Sequence, residues 1–261
     1  MRSAQTTAAS LESPHVPVST AAAGLTPSGA LRGRVVGATA IALAVSLVVQ
    51  NAVVASAGAP AYGDPIREVL AFHAQHRGAV AFANGLEALN LPLLLVFLTG
   101  LHGLVGRRGG AGADWSRLAV AAGATLSAVF ALYAVLWNGV VLSAGELAEP
   151  SPVFELVWQL HAAAFALVLP ALGTTLIGAA LATHAISLTP RWQLLIGLAG
   201  GGLLLAAGTA NLAIADGSSL LFVGIPGYVA WLVWLLATGG RLVRARTIDR
   251  PDGASSSDVQ G

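Results

Sequence analysis

A chain of 261 residues that is 56% hydrophobic and only 10% charged cannot clothe a soluble domain in polar groups, because an ordinary domain carries about a quarter charged residues. A net charge of +1 gives no electrostatic case for nucleic-acid binding, and the mean hydropathy of +0.76 points to lipid as the solvent. The absence of Cys excludes disulfides and thiolate metal sites.

Residues 1–31 are rich in Ser, Thr, Ala, Pro and Gly and have almost no aliphatic runs, so they predict a disordered tail. Residues 32–246 then carry six apolar runs. The first, about Val35 to Ala57, opens on Arg32 and Arg34. Its Ala55-Ser56-Ala57 resembles a signal cleavage site, but the run is too long and too far from the start of the chain, which favours a retained helix. The connection Gly58 to Gly78 follows. Within it, Pro65, Ile66, Val69, Leu70 and Phe72 read either as a short amphipathic helix at the interface or as a plain solvated loop. His73 and His76 in the same stretch are spaced for one helix face. With Glu87 or His161 they would supply three ligands for zinc, and a solvated pair is the alternative.

The second run, about Val80 to Val105, closes on Arg107 and Arg108; the third is about Leu118 to Leu142 and the fourth about Val153 to Ala182. The fifth, about Trp192 to Ile214, carries Gly197 and Gly201, a spacing that lets helices approach closely. The sixth, about Leu220 to Gly239, closes on Arg241, Arg244 and Arg246, and residues 247–261 predict a second disordered tail. Each run is long enough to cross a hydrocarbon core of about 30 Å as a helix. The predicted fold is therefore all-α, a polytopic bundle of about six transmembrane helices. Leu89-Asn90-Leu91-Pro92 with Gly100 matches Leu167-Val168-Leu169-Pro170 with Gly178, as a duplicated helix pair would.

Six crossings put Arg32, Arg34, Arg107, Arg108, Arg117, Arg191, Arg241, Arg244, Arg246 and Arg250 on one side, and only Arg67 and Arg77 on the other. The positive-inside rule then places both termini in the cytoplasm of a cell-membrane protein. Polar groups concentrate toward the other side. Asn84, Glu87 and Asn90 share a face of the second helix, Asn138 ends the third, Gln159 and His161 open the fourth, and Asn211 ends the fifth. If these faces converge they line an outward-facing polar pocket, in which Glu87 needs a partner such as His161 or Asn138. The alternative is interhelical hydrogen bonding that only holds the bundle together. Haem between His102 and His184 would need two helices that nothing in the sequence brings together, and no cofactor is expected.

Six helices, the Leu-x-Leu-Pro of the second, the polar start of the fourth (Glu155 to His161) and the Phe222-Val223-Gly224-Ile225-Pro226 opening of a Trp-bearing last helix together resemble the bacterial membrane proteins grouped as domain of unknown function 4386. The resemblance spans about residues 35 to 245, implies the six-helix fold, and brings no catalytic or binding residues with it.

Three functions are consistent with this reading. One is an accessory or structural membrane component. Another is a small-solute carrier or binding protein, whose Pro92, Pro170 and Pro226 would permit helix movement. The third is a membrane-embedded hydrolase using Glu87 and His161 as acid and base. A non-enzymatic role ranks first. The expected partners are the lipid bilayer and either a second copy of the chain or another membrane protein.

Overall fold

A computed structural model describes residues 27–244 and folds them into eight helices, with no strand among them. They are α1 (Pro27–Ser56), α2 (Ile66–Gln75), α3 (Arg77–Gly106), α4 (Ala111–Ala144), α5 (Pro152–Ala185), α6 (Arg191–Thr209), α7 (Asn211–Ala215) and α8 (Leu221–Arg244). Six of them (α1, α3, α4, α5, α6 and α8) are long and apolar enough to cross a membrane, which bears out the all-α polytopic fold. Most of the N-terminal tail and the whole C-terminal tail drawn from composition lie outside the described residues. α1 begins at Pro27, inside the segment read as tail.

α4 and α5 are 34 residues each, about 51 Å at 1.5 Å per residue, and so overrun an apolar core of about 30 Å. The apolar run of the third helix begins at Leu118. The helix itself starts a full two turns earlier. Asp114 in its first turn opposes the helix dipole, and Arg117 closes an i,i+3 pair with Asp114 at 2.8 Å. α5 starts cleanly because Ser151 caps it, accepting from the Phe154 N–H at 3.2 Å with Pro152 in the first turn.

The six long helices form one ring in which each packs on its neighbours in sequence: α1 on α3, α3 on α4, α4 on α5, α5 on α6, α6 on α8, and α8 back on α1. Glycines set the closest crossings. A Cβ on Gly37 of α1 would sit 2.7 Å from the Gly239 carbonyl of α8, and one on Gly173 of α5 would sit 2.7 Å from the Gly201 carbonyl of α6. The Gly197 and Gly201 pair therefore serves α5, meeting Ala180 and Gly173, while Gly200 beside it serves α8 through Gly227. Gly100 and Gly178, the matched glycines of the two Leu-x-Leu-Pro segments, open onto the preceding long helix in each case, at Val36 and at Ala119. Outward-facing side chains are large and apolar, among them Val45, Val135, Leu195 and Val229, as contact with lipid requires.

Of the two readings of residues 58–78, the helix is found, but its apolar face meets protein. Val69 and Leu70 of α2 pack with Val140, Ala144, Phe154 and Trp158 of α4 and α5, and Phe72 packs with Val80 and Trp137. Arg67 reaches Glu149 at 3.1 Å, but both side chains are exposed, so the pair adds little.

Candidate functional site: two adjoining chambers inside the ring

Two adjoining chambers, each partly open, lie within the ring at the end where α2 lies. The outer one has a volume of about 320 Å³ and is walled by Tyr62, Phe72, His73, Tyr133, Trp137, Trp158, His161, Phe165 and Phe222. The inner one, about 210 Å³, is lined by Gln50, Asn51, Glu87 and Tyr228 among Leu47, Val168, Leu169 and Leu172. Tyr133, Phe165 and Leu221 line both, forming the floor of one and the ceiling of the other.

The outer chamber is roofed by two loops, Ala59 to Tyr62 and Gly217 to Ser219. They meet backbone to backbone. Gly217 has φ +87, and a Cβ there would overlap the Gly63 Cα, so only glycine fits. Within the chamber His161 lies between two rings, stacked on Tyr133 at 4.1 Å and on Trp158 at 5.2 Å between centroids, with its Nδ1 3.3 Å from the Tyr133 carbonyl. The Trp158 indole N–H is buried and has no partner among the described residues. Burial, reinforced by Tyr133, holds the Tyr62 phenol well above its ordinary range, so the hydroxyl stays neutral.

His73 is fixed as one tautomer. Trp137 Nε1 can only donate, so His73 Nε2 accepts its hydrogen bond (3.2 Å), which leaves the proton on Nδ1 to donate to the Val69 carbonyl at 2.8 Å. Both ring nitrogens are thereby engaged, and none is left for a metal. His76 turns its Nδ1 to the Phe72 carbonyl at 3.2 Å and stacks on that ring. Among the described residues no group of three or more His, Asp or Glu is placed to hold a metal ion.

Burial lowers the His73 pKa below its ordinary 6.5. The unfolded chain therefore takes up a proton here before the folded one does. His73 costs nothing above about pH 6.5, and its penalty grows as pH falls from there toward the folded value, by about 1.4 kcal/mol per unit of depression. Melting of the detergent-solubilised protein is expected to shift to lower temperature between about pH 7 and pH 5, and less so in His73→Phe. Equal pH slopes for the two proteins would contradict this assignment.

In the inner chamber Glu87 of α3 is only 1% exposed. Gln50 of α1 donates from Nε2 to Glu87 Oε2, and Gln50 Oε1 accepts from Asn90 Nδ2 at 2.7 Å. Among the described residues Glu87 Oε1 has no partner, and no cationic side chain lines the chamber. Asn51 donates to the Tyr228 hydroxyl of α8 at 3.0 Å.

The seven polar residues singled out in the sequence do not converge. Glu87 lines the inner chamber, and Asn90 joins it through Gln50. His161 lines the outer chamber, with no hydrogen bond to Glu87. Asn84 donates to Asn138 Oδ1 at 2.6 Å, a clasp between α3 and α4 outside both chambers. Gln159 is exposed: it sits two residues from His161, about 200° around the helix, and so faces outward. Asn211 is exposed as well, because the predicted fifth helix is broken at Ala210 and restarts as α7, whose buried residue is Ile214.

Sequence reasoning missed Gln50, the residue that partners Glu87. Its signal was an adjacent Gln50-Asn51 amide pair in an otherwise aliphatic run, of which one member had to face inward. It also missed Gln193, fully buried on the far half of the bundle, which donates to Thr238 Oγ1 at 2.5 Å and so ties α6 to α8. No family model, curated protein or solved structure matches the chain. The fold and the chambers define its class, a multi-pass helical membrane protein with an internal cavity.

Proposed function

We propose that this chain binds a small solute within the ring, as a carrier or receptor, and that the solute reaches it from the face opposite the termini. The observation that carries the reading is Glu87, a buried carboxyl at a chamber wall with one amide partner on Oε2 and, among the described residues, none on Oε1. A residue serving only as packing glue would be satisfied on both oxygens, as costly intramembrane carboxyls otherwise are. The combined chambers fall within the size range of small-molecule sites. The accessory-component reading keeps one specific support, the Asn84–Asn138 clasp, which needs no ligand to explain it. The hydrolase reading has less, since Glu87 and His161 line different chambers.

The Arg distribution supports a cell-membrane orientation with both termini cytoplasmic. The likeness to the domain of unknown function 4386 proteins is consistent with the six-helix layout and suggests no activity.

A chain without Cys makes both proposals testable by single cysteines. Leu221→Cys, at the junction of the chambers, is expected to react with a membrane-impermeant thiol reagent added to intact cells. Leu195→Cys, in the lipid-facing surface, should stay inert. Asp64→Cys should label without lysis and Gly109→Cys only after it. An inert Leu221→Cys in folded protein would remove the solute-site reading, and the reverse pattern for Asp64 and Gly109 would invert the topology.

A further inference from the structure

The chemistry of the chamber walls points to a class of solute, an inference that rests on the solute-binding reading above. We infer that the ring binds a small alkylated ammonium compound, a monocation held between the aromatic faces of the outer chamber and the Glu87 carboxyl of the inner one. Three observations converge on this.

The first is charge. Glu87 is the one acidic side chain lining either chamber, and no Arg lines them. Its Oε1 is buried without a donor among the described residues, so the carboxyl calls for a donor or a positive charge beside it. A single carboxyl supplies too few oxygens for calcium or magnesium, which take six or more.

The second is the wall. Tyr62, Tyr133, Trp137, Trp158 and Phe165 surround the outer chamber, and ring faces carry the negative part of the aromatic quadrupole. Such faces attract ammonium groups, and more strongly as water is excluded. An anionic solute would meet these faces and Glu87 with no cation to receive it. His73 does not change this, since both its nitrogens are paired and it is held neutral.

The third is continuity. Tyr133, Phe165 and Leu221 line both chambers, so the aromatic faces and the carboxyl belong to adjoining spaces separated by a single layer of side chains.

The test is equilibrium binding of radiolabelled choline and of its uncharged carbon isostere, 3,3-dimethylbutan-1-ol, to the purified full chain in detergent. The wild type is expected to bind choline at least tenfold more tightly than the alcohol. Glu87→Gln should bring the two within about twofold, and Trp158→Leu should weaken choline several-fold while leaving the alcohol unchanged. If Glu87→Gln fails to give monodisperse protein, Trp158→Leu alone decides, its retained alcohol binding showing that the chamber is intact. Wild-type choline affinity in folded Glu87→Gln, or in Trp158→Leu, would overturn the inference. Equal binding of both probes by the wild type would overturn the cation class and leave the solute site standing. Binding of neither, with Leu221→Cys unreactive, would remove both.

Discussion

A valine at Gly200 is expected to prevent recovery of folded protein. A Cβ at this position would lie 2.5 Å from the Ala230 Cβ and 3.3 Å from the Gly227 carbonyl, and a Cβ at Gly227 would come within 2.6 Å of the Gly200 carbonyl. The two helices meet through backbone, and backbone cannot rotate aside as a side chain does. Overpacking ordinarily costs about 1–3 kcal/mol. Here α6 must part from α8 altogether, so the loss should exceed about 4 kcal/mol, a large fraction of a typical total stability. Gly202→Val is the matched control, since nothing lies within 4 Å of its Cβ position. The measurement is the monodisperse fraction after detergent extraction. A Gly200→Val protein that melts like Gly202→Val would show that the α6–α8 crossing is not as described.

The second large effect is expected at Gln50. Gln50→Leu strips Glu87 of its single donor and Asn90 of its acceptor, leaving buried polar groups without partners on α3. Each such group costs about 1–3 kcal/mol, more if charged. Gln50→Leu is therefore expected to lower stability by about 2–4 kcal/mol. Adding Glu87→Leu removes the stranded carboxyl and should restore part of that loss, giving a coupling of about 1–3 kcal/mol in the double-mutant cycle. Additive effects would mean that the two side chains do not interact. Recovery in the double mutant would also imply that selection retains the pair for something other than stability, as a binding site requires.

The parts of this structure legible in the sequence are those fixed by the solvent. Lipid forces six apolar helices, and the second, third and fourth runs lie wholly within α3, α4 and α5. Hydropathy was less informative where water returns. It hid the first two turns of α4, and it ran α6 into α7 because aliphatic residues resume at Leu212 to Ile214 beyond the break at Ala210. The site was half legible. Glu87 and His161 were visible as costly groups, but their neighbours depend on rotation about each helix axis, which a uniformly apolar run does not encode. Every side of α5 is rich in Ala, Leu and Val, so nothing in its pattern told His161 inward from Gln159 outward. The aromatic chamber was hidden for a related reason. Trp158 reads as an interfacial anchor, and Tyr62 reads as loop until α2 and its preceding turn fold over the end of the ring.

The ring order has a consequence for how the protein is made. Five of its six contacts join helices consecutive among the long six, and each can form as soon as the later helix enters the membrane. The sixth, α1 against α8 through Gly37 and Gly239, joins the first long helix to the last. Synthesis runs from the N-terminus, so the earlier five helices wait as an open arc whose inner face, including Glu87 and Gln50, stays accessible to lipid and to neighbouring chains. The chambers come into being only when α8 closes the arc.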